Sequence, residues 1–308
     1  MKQFLISVDS SACFSDEELS DYGILMVRLS YTLDGNEHVD LFEDDAQKQA
    51  LYDALSAGAV AQSSKANPDA FRRTWEKPLR EGFNILHLSL SSKVSGSYDS
   101  ACQAAAELTA EYGGRIEVID TLTGCFAITA MALELTKIQE TATIDEAMHS
   151  VRNSLDEYNL VFAVADIQYL RRGGRVSHIK ALLGGLLRLK PVLYINSEGR
   201  ITFLANARGM RQAIETLTEK MKSSATVKTI FSFLAHGGDE ESARRLQDRI
   251  KEAIPAVREF RLDYLTPVLG LHAGPGALVL CFRGAPRDHV VDGGVVKELL
   301  EKLHHIKQ

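Results

Sequence analysis

Apolar positions along the chain alternate between short runs with a period of two and longer stretches with a period near 3.6, the signatures of strands and helices. Residues 3–8, 85–90, 115–120 and 160–165 are short apolar runs and predict strands. The stretches 45–57, 101–112 and 125–138 have helical spacing, with Ala46, Leu51, Ala54 and Leu55 as the apolar stripe of the first. Ser15 with Glu18, and Thr143 with Glu146, fit capping boxes, in which hydroxyl and carboxylate satisfy free helix N–H groups reciprocally. Asn67 before Pro68 starts a further helix. Asp34 and Gly35 form a turn signal between extended pieces at 24–32 and 38–42. Residues 59–67 are polar and irregular and predict a loop, so Ser63 and Ser64 are expected just ahead of a helix.

Strands alternating with helices over the first half predict a mainly parallel sheet covered on both faces, with ligands at the carboxyl ends of its strands. The pattern then breaks at 168–177, where a glycine pair is flanked by Arg171, Arg172 and Arg175. Beyond it come a helix at 179–187 weakened by Gly184 and Gly185, a hairpin from 191–196 and 200–207, and helices at 209–223 and 240–254. Strands at 227–234, 257–262 and 277–282, a glycine-rich turn at 267–276 and an amphipathic helix at 295–305 complete the prediction. A chain of 308 residues exceeds the ~250–300 at which one core stops growing. The predicted fold class is therefore α/β with two α/β domains, 1–162 and 163–308, the second ending in a helical extension.

A hydrophobic fraction of 45% permits a real core, and a formal net charge of -6 gives no general attraction to nucleic acid or an anionic membrane. Cys13, Cys102, Cys125 and Cys281 are scattered with no C-x-x-C pair, which argues for reduced thiols in a cytoplasmic protein. The amino terminus reaches Asp9 too soon for a signal peptide, and no apolar run approaches the ~18 residues that would span a bilayer. His38, His87, His178 and His236 have no partner at metal-ligand spacing, and the adjacent His304 and His305 suit a helix end, so no metal is expected.

The chemistry concentrates where the strand at 85–90 ends in Ser91, Ser92, Ser95, Gly96 and Ser97 before an alanine-rich helix. Free N–H groups and the dipole at a helix start favour a carboxylate or phosphate, and Ser95 also suits a plain helix cap; the two roles are not exclusive. No phosphate-binding G-x-x-x-x-G-K-[ST] or G-x-G-x-x-G motif is present, and the residues around Ser95 are not the G-x-S-x-G elbow of a serine hydrolase. A serine-dependent lipid esterase remains the enzymatic alternative, and a carrier of another amphipathic carboxylic acid the non-enzymatic one.

The order of these pieces resembles the DegV family of bacterial fatty-acid-binding proteins. The most specific element is the run from Ser92 to Ala101, similar to the family's S-x-x-S-G-T-Y-x-S-A signature. Ile119 to Thr121, Tyr169 to Ser177, Leu189 to Leu193 and Pro267 to Gly276 follow in the family's order. The resemblance implies two α/β domains with a long-chain fatty acid buried between them and its carboxylate held by Ser95 and either Ser63 or Ser64, beside Gly96. It further implies that Arg172, Arg208 and His272 are polar positions near the site and that Arg172 and Arg175 act in the carboxylate network or in docking. It implies no enzyme activity and no cofactor, but a substrate-presenting subunit for a separate ATP-dependent fatty acid kinase. The chain departs from the family where Ser63 replaces threonine, where the proline after that loop motif is missing, and where Lys93 replaces a common glycine. The first-strand motif also differs, continuing Asp9, Ser10, Ser11, Ala12 and Cys13.

Overall fold

The computed structural model describes residues 3–42, 44–176 and 189–288; the helices expected at 179–187 and 295–305 lie outside them. The first half runs β1 (Phe4–Asp9), α1 (Asp16–Tyr22), β2 (Leu25–Val27), β3 (Ser30–Leu33), β4 (Asn36–Val39), α2 (Asp45–Ser56), β5 (Ala61–Ser64), α3 (Pro68–Arg80), β6 (Asn84–Ser89), α4 (Ser97–Tyr112), β7 (Ile116–Asp120), α5 (Phe126–Thr136) and α6 (Ile144–Ser154). The second half runs β8 (Tyr158–Ala163), α7 (Gln168–Arg172), β9 (Lys190–Ile195), β10 (Ile201–Ala207), α8 (Met210–Ser223), β11 (Phe231–His236), α9 (Glu240–Ala253), β12 (Glu259–Tyr264), α10 (Pro267–Ala273) and β13 (Leu278–Arg283).

Strands β2-β1-β6-β7 form the expected parallel sheet. The second sheet, β10-β9-β8-β13-β11-β12, is antiparallel except where β11 meets β12. Both capping boxes form, and Asn67 caps α3 as its side chain accepts from Ala70.

Three expectations needed correction. The single strand expected at 24–32 is two strands in different sheets, because the chain turns out of the parallel sheet after Val27 and Leu29 N–H is held by Ser10 Oγ at 3.0 Å. The loop expected at 59–67 contains β5, an edge of a third, antiparallel sheet ordered β4-β3-β5. Its polar sequence hides it, since backbone pairing to β3 needs no apolar alternation. The glycine-rich turn expected at 267–276 begins as the helix α10, with Pro267 in the first turn where its missing N–H costs nothing.

Gly270 lies inside that helix for a steric reason. A Cβ there would meet Tyr52 Oη at 2.2 Å, and Tyr52 also packs against Gly237 and Gly238. Its hydroxyl donates to the Leu265 carbonyl at 2.9 Å, so α2 is keyed into the second half of the chain.

Helix α5 explains how the two large sheets share a core. It is apolar all round and packs on β1 and β6 on one side and on β8, β11 and β13 on the other. On β8 the two-residue period then divides the chain: Leu160 and Phe162 join the α5 side, whereas Val161 and Ala163 join a second core beneath α8 and α9.

Gly270→Ala is expected to lower unfolding stability by about 2 kcal/mol through overpacking. The cost should shrink in a Tyr52→Phe background, which removes the nearest clashing atom; a double-mutant cycle in urea reads that coupling.

Candidate functional site

A cavity of about 840 Å³, counting the space open at its mouth, lies between the parallel sheet and the second sheet and takes its walls from both halves of the chain. The second sheet turns Leu160, Phe162, Ile195, Ile201 and Val279 toward it, and Leu29, Leu90 and Cys125 approach from the first half. Its polar end is small: Ser63, Ser64, Lys65, Ser95, Arg175 and His272. None of the lining residues is acidic.

Ser63 stands opposite Tyr31 on β5, and its Oγ is 2.7 Å from His272 Nε2. Burial pushes the His272 imidazole down to about 4, with the nearby Arg175 charge acting in the same direction. The ring is therefore neutral at pH 7 and exchanges one hydrogen bond with the serine.

Its position depends on Gly173, since a Cβ there would fall 2.3 Å from His272 Nδ1. Arg175 is fixed by donating from Nε to the Val94 carbonyl at 3.0 Å and from Nη1 to the Gly173 carbonyl.

Ser95 sits in the turn after β6, where the N–H groups of Val94 and Ser95 both reach the Ser91 carbonyl at 3.1 Å. Its Oγ accepts the Ser97 N–H at 3.2 Å and lies 2.9 Å from Ser97 Oγ, which in turn receives the Ala66 N–H at 3.4 Å. Ser95 thus orders the start of α4, and it also lines the cavity. The formal cap is Gly96, which makes no side-chain bond.

Not every expected residue joins this cluster. Arg172 is exposed over the Tyr169 ring at 5.6 Å, and Arg208 is exposed beside α8 with its N–H on Gln212 Oε1; neither lines the cavity. Gly96 adjoins Ser95 but lies under the Lys65 side chain. Of the arginines around the glycine pair, Arg175 is the one at the cavity wall.

Lys65 and Gly173 were missed by sequence reasoning. Lys65 was visible only as a polar residue in an apparent loop, and Gly173 only as half of a glycine pair. Cys125, with its Sγ 3.6 Å from Cys13 Sγ, also lines the cavity, and all four cysteines are free thiols. Among the described residues, no cluster of three or more His, Cys, Asp or Glu is arranged to hold a metal, and no helix is long and apolar enough to cross a membrane.

The frame is α/β, and its cavity is apolar with one polar end. A family model described as "Uncharacterised protein, DegV family" matches residues 3–284, and the chain belongs to the DegV family. It is 30% identical to the DegV domain-containing protein CPE0026 of Clostridium perfringens (strain 13 / Type A) over 94% of this chain and 100% of that one. A DegV lipid binding protein of Thermotoga maritima superposes with a TM-score of 0.81 at 26% identity, covering 94% of this chain and 100% of that one. A DegV family protein of Thermus thermophilus, whose structure is described for fatty acid binding, superposes with a TM-score of 0.83 at 27% identity, covering 92% and 100%.

The depressed His272 pKa has a definite sign in stability. As pH falls from 6.5 to about 4 the unfolded chain takes up a proton that the folded site refuses, so this group's contribution is complete above 6.5 and lost on acidification. The stability difference between the protein and its His272→Gln variant should therefore change by up to about 3 kcal/mol between pH 7 and pH 4. Urea unfolding at stepped pH measures it, and the opposing proton uptake by buried carboxyls cancels in the difference.

Proposed function

We propose that this protein binds a long-chain fatty acid between domains 1–162 and 163–308 and presents the carboxylate to an ATP-dependent fatty acid kinase. The observation that carries this is the cavity's division into a long apolar wall and one polar end with hydroxyls, cations and no acid. Each methylene moved from water contributes about 0.8 kcal/mol before the costs of association, so an acyl chain supplies the affinity and the head group needs few contacts.

A buried carboxylate without donors is expensive. Ser63, Ser95 and the Arg175 guanidinium supply donors, and the neutral His272 imidazole orients the Ser63 hydroxyl. Ser63 is the better partner for Ser95, because it is half-buried and engaged by His272, whereas Ser64 is exposed.

Presentation to a kinase is supported by the exposure of Ser64 and Lys65: the head group would lie at the surface end, within reach of a second protein. The exposed Arg172 adds a contact for such a partner. The protein would itself perform no chemistry, act without a cofactor and work in the cytoplasm.

The Ser63–His272 contact gives the esterase reading one specific observation in its favour. Against it, no carboxylate lines the cavity to orient the ring, and an imidazole titrating near 4 is a weak general base.

Native mass spectrometry of the purified protein should find one long-chain acid bound, and Ser63→Ala with Ser95→Ala should reduce its retention at least tenfold. Protein that accepts no fatty acid at any concentration would rule the proposal out. Covalent labelling of Ser63 by an activated lipid ester, with turnover, would establish the esterase instead.

A further inference from the structure

Lys65 is absent from the residues that the serine motifs pick out, and its placement is specific. It follows Ser63 and Ser64 at the end of β5, lines the cavity, and lays its stem over the turn that carries Ser95. A Cβ on Gly96 would lie 3.0 Å from Lys65 Cδ and 3.6 Å from its Nζ, so the absent side chain at Gly96 leaves the groove in which the lysine rests. The ammonium is thereby held close to the Ser95 turn.

Among the described residues no carboxylate forms an ion pair with it; Lys93, Lys137, Lys190 and Lys220 also lack one, but none of these lines the cavity as Lys65 does. The cavity beside it contains a second cation, Arg175, and no acidic side chain, in a chain of net charge -6. A positive charge without a counter-charge faces the one place where the proposed ligand is negative.

We propose that Lys65 is a specificity-determining residue, whose ammonium serves as counter-charge to an anionic head group and selects an ionised acid over a neutral lipid of equal length. This rests on the fatty-acid reading of the cavity and extends it to the charge of the ligand. Because Lys65 is exposed, its attraction operates in partly solvated surroundings and is screened by salt. The apolar wall is blind to charge, so the alcohol and the acid of one chain length differ in affinity only at this end of the cavity.

The test is titration calorimetry of the full chain with hexadecanoate and with hexadecanol, for the protein and for its Lys65→Met and Lys65→Arg variants. Lys65→Met should weaken hexadecanoate about five- to tenfold at low salt, with hexadecanol changed less than about twofold and the difference shrinking as salt rises. Lys65→Arg should restore the preference for the acid. With carboxyl-labelled hexadecanoate, the bound carboxyl should titrate about 0.7 to 1 unit higher in Lys65→Met, as the five- to tenfold loss of anion affinity requires.

The inference is overturned if Lys65→Met binds hexadecanoate as tightly as the parent, or if it loses acid and alcohol equally, which would mean packing alone. If the parent binds neither lipid, the fatty-acid reading falls and Lys65 loses this role with it.

Discussion

Two carboxylates that never reach the cavity hold its polar end together. Asp40 is fully buried; its Oδ2 accepts the Ser10 hydroxyl at 2.6 Å and its Oδ1 accepts the Val268 N–H at 2.8 Å in the first turn of α10. Burial raises its carboxyl to about 6 against the lowering effect of these two hydrogen bonds. Asp9 does the same on the other side: its Oδ2 accepts the Leu90 N–H at 2.8 Å where the serine-rich turn begins, and its Oδ1 accepts both donors of Ser11. Asp40 thus fixes the helix that carries His272, and Asp9 fixes the turn that carries Ser95. A buried acid is tolerable only where donors surround it, and here the donors are the backbone of the elements being positioned.

The apolar part of the site follows from the same economy of parts. A helix apolar on every side is normally a central element, and α5 fills that position between the parallel sheet and β8, β11 and β13. At the start of α5, Cys125 joins Leu160, Phe162 and Val279 of the second sheet in lining a cavity. Polar locks cross between the halves around it. Arg261 pairs with both oxygens of Glu18 at 2.8 Å, and the Ser91 hydroxyl donates to the Gly199 carbonyl at 2.8 Å at the tip of the β9–β10 hairpin.

What was legible in the sequence was local. The strands at β1, β6 and β7, the capping boxes at Ser15 and Thr143, the apolar helix α5 and the hairpin of β9 and β10 each carry a signal within about fifteen residues, and the family order connects them. Ser63, Ser64, Ser95 and His272 were likewise recoverable from the motifs and do share one cavity.

What escaped depends on contacts remote along the chain. β5 exists because β3 pairs with it, Gly173 is constrained by a ring 99 positions away in sequence, and Lys65 acquires meaning only beside Gly96. Arg172 and Arg208 fit the family pattern yet stand off the cavity wall, because matching a motif fixes a position in the chain and not the direction of a long, flexible side chain.

The pairing of β5 gives the serine doublet a further meaning. As an edge strand of a three-stranded sheet, β5 has one neighbour, and side chains alternate faces with every residue. A slip of one position against β3 would carry Ser64 to the place that Ser63 occupies opposite Tyr31. The doublet therefore places hydroxyls on both faces of β5, and in the native register it is the half-buried Ser63 that meets His272 while Ser64 is exposed.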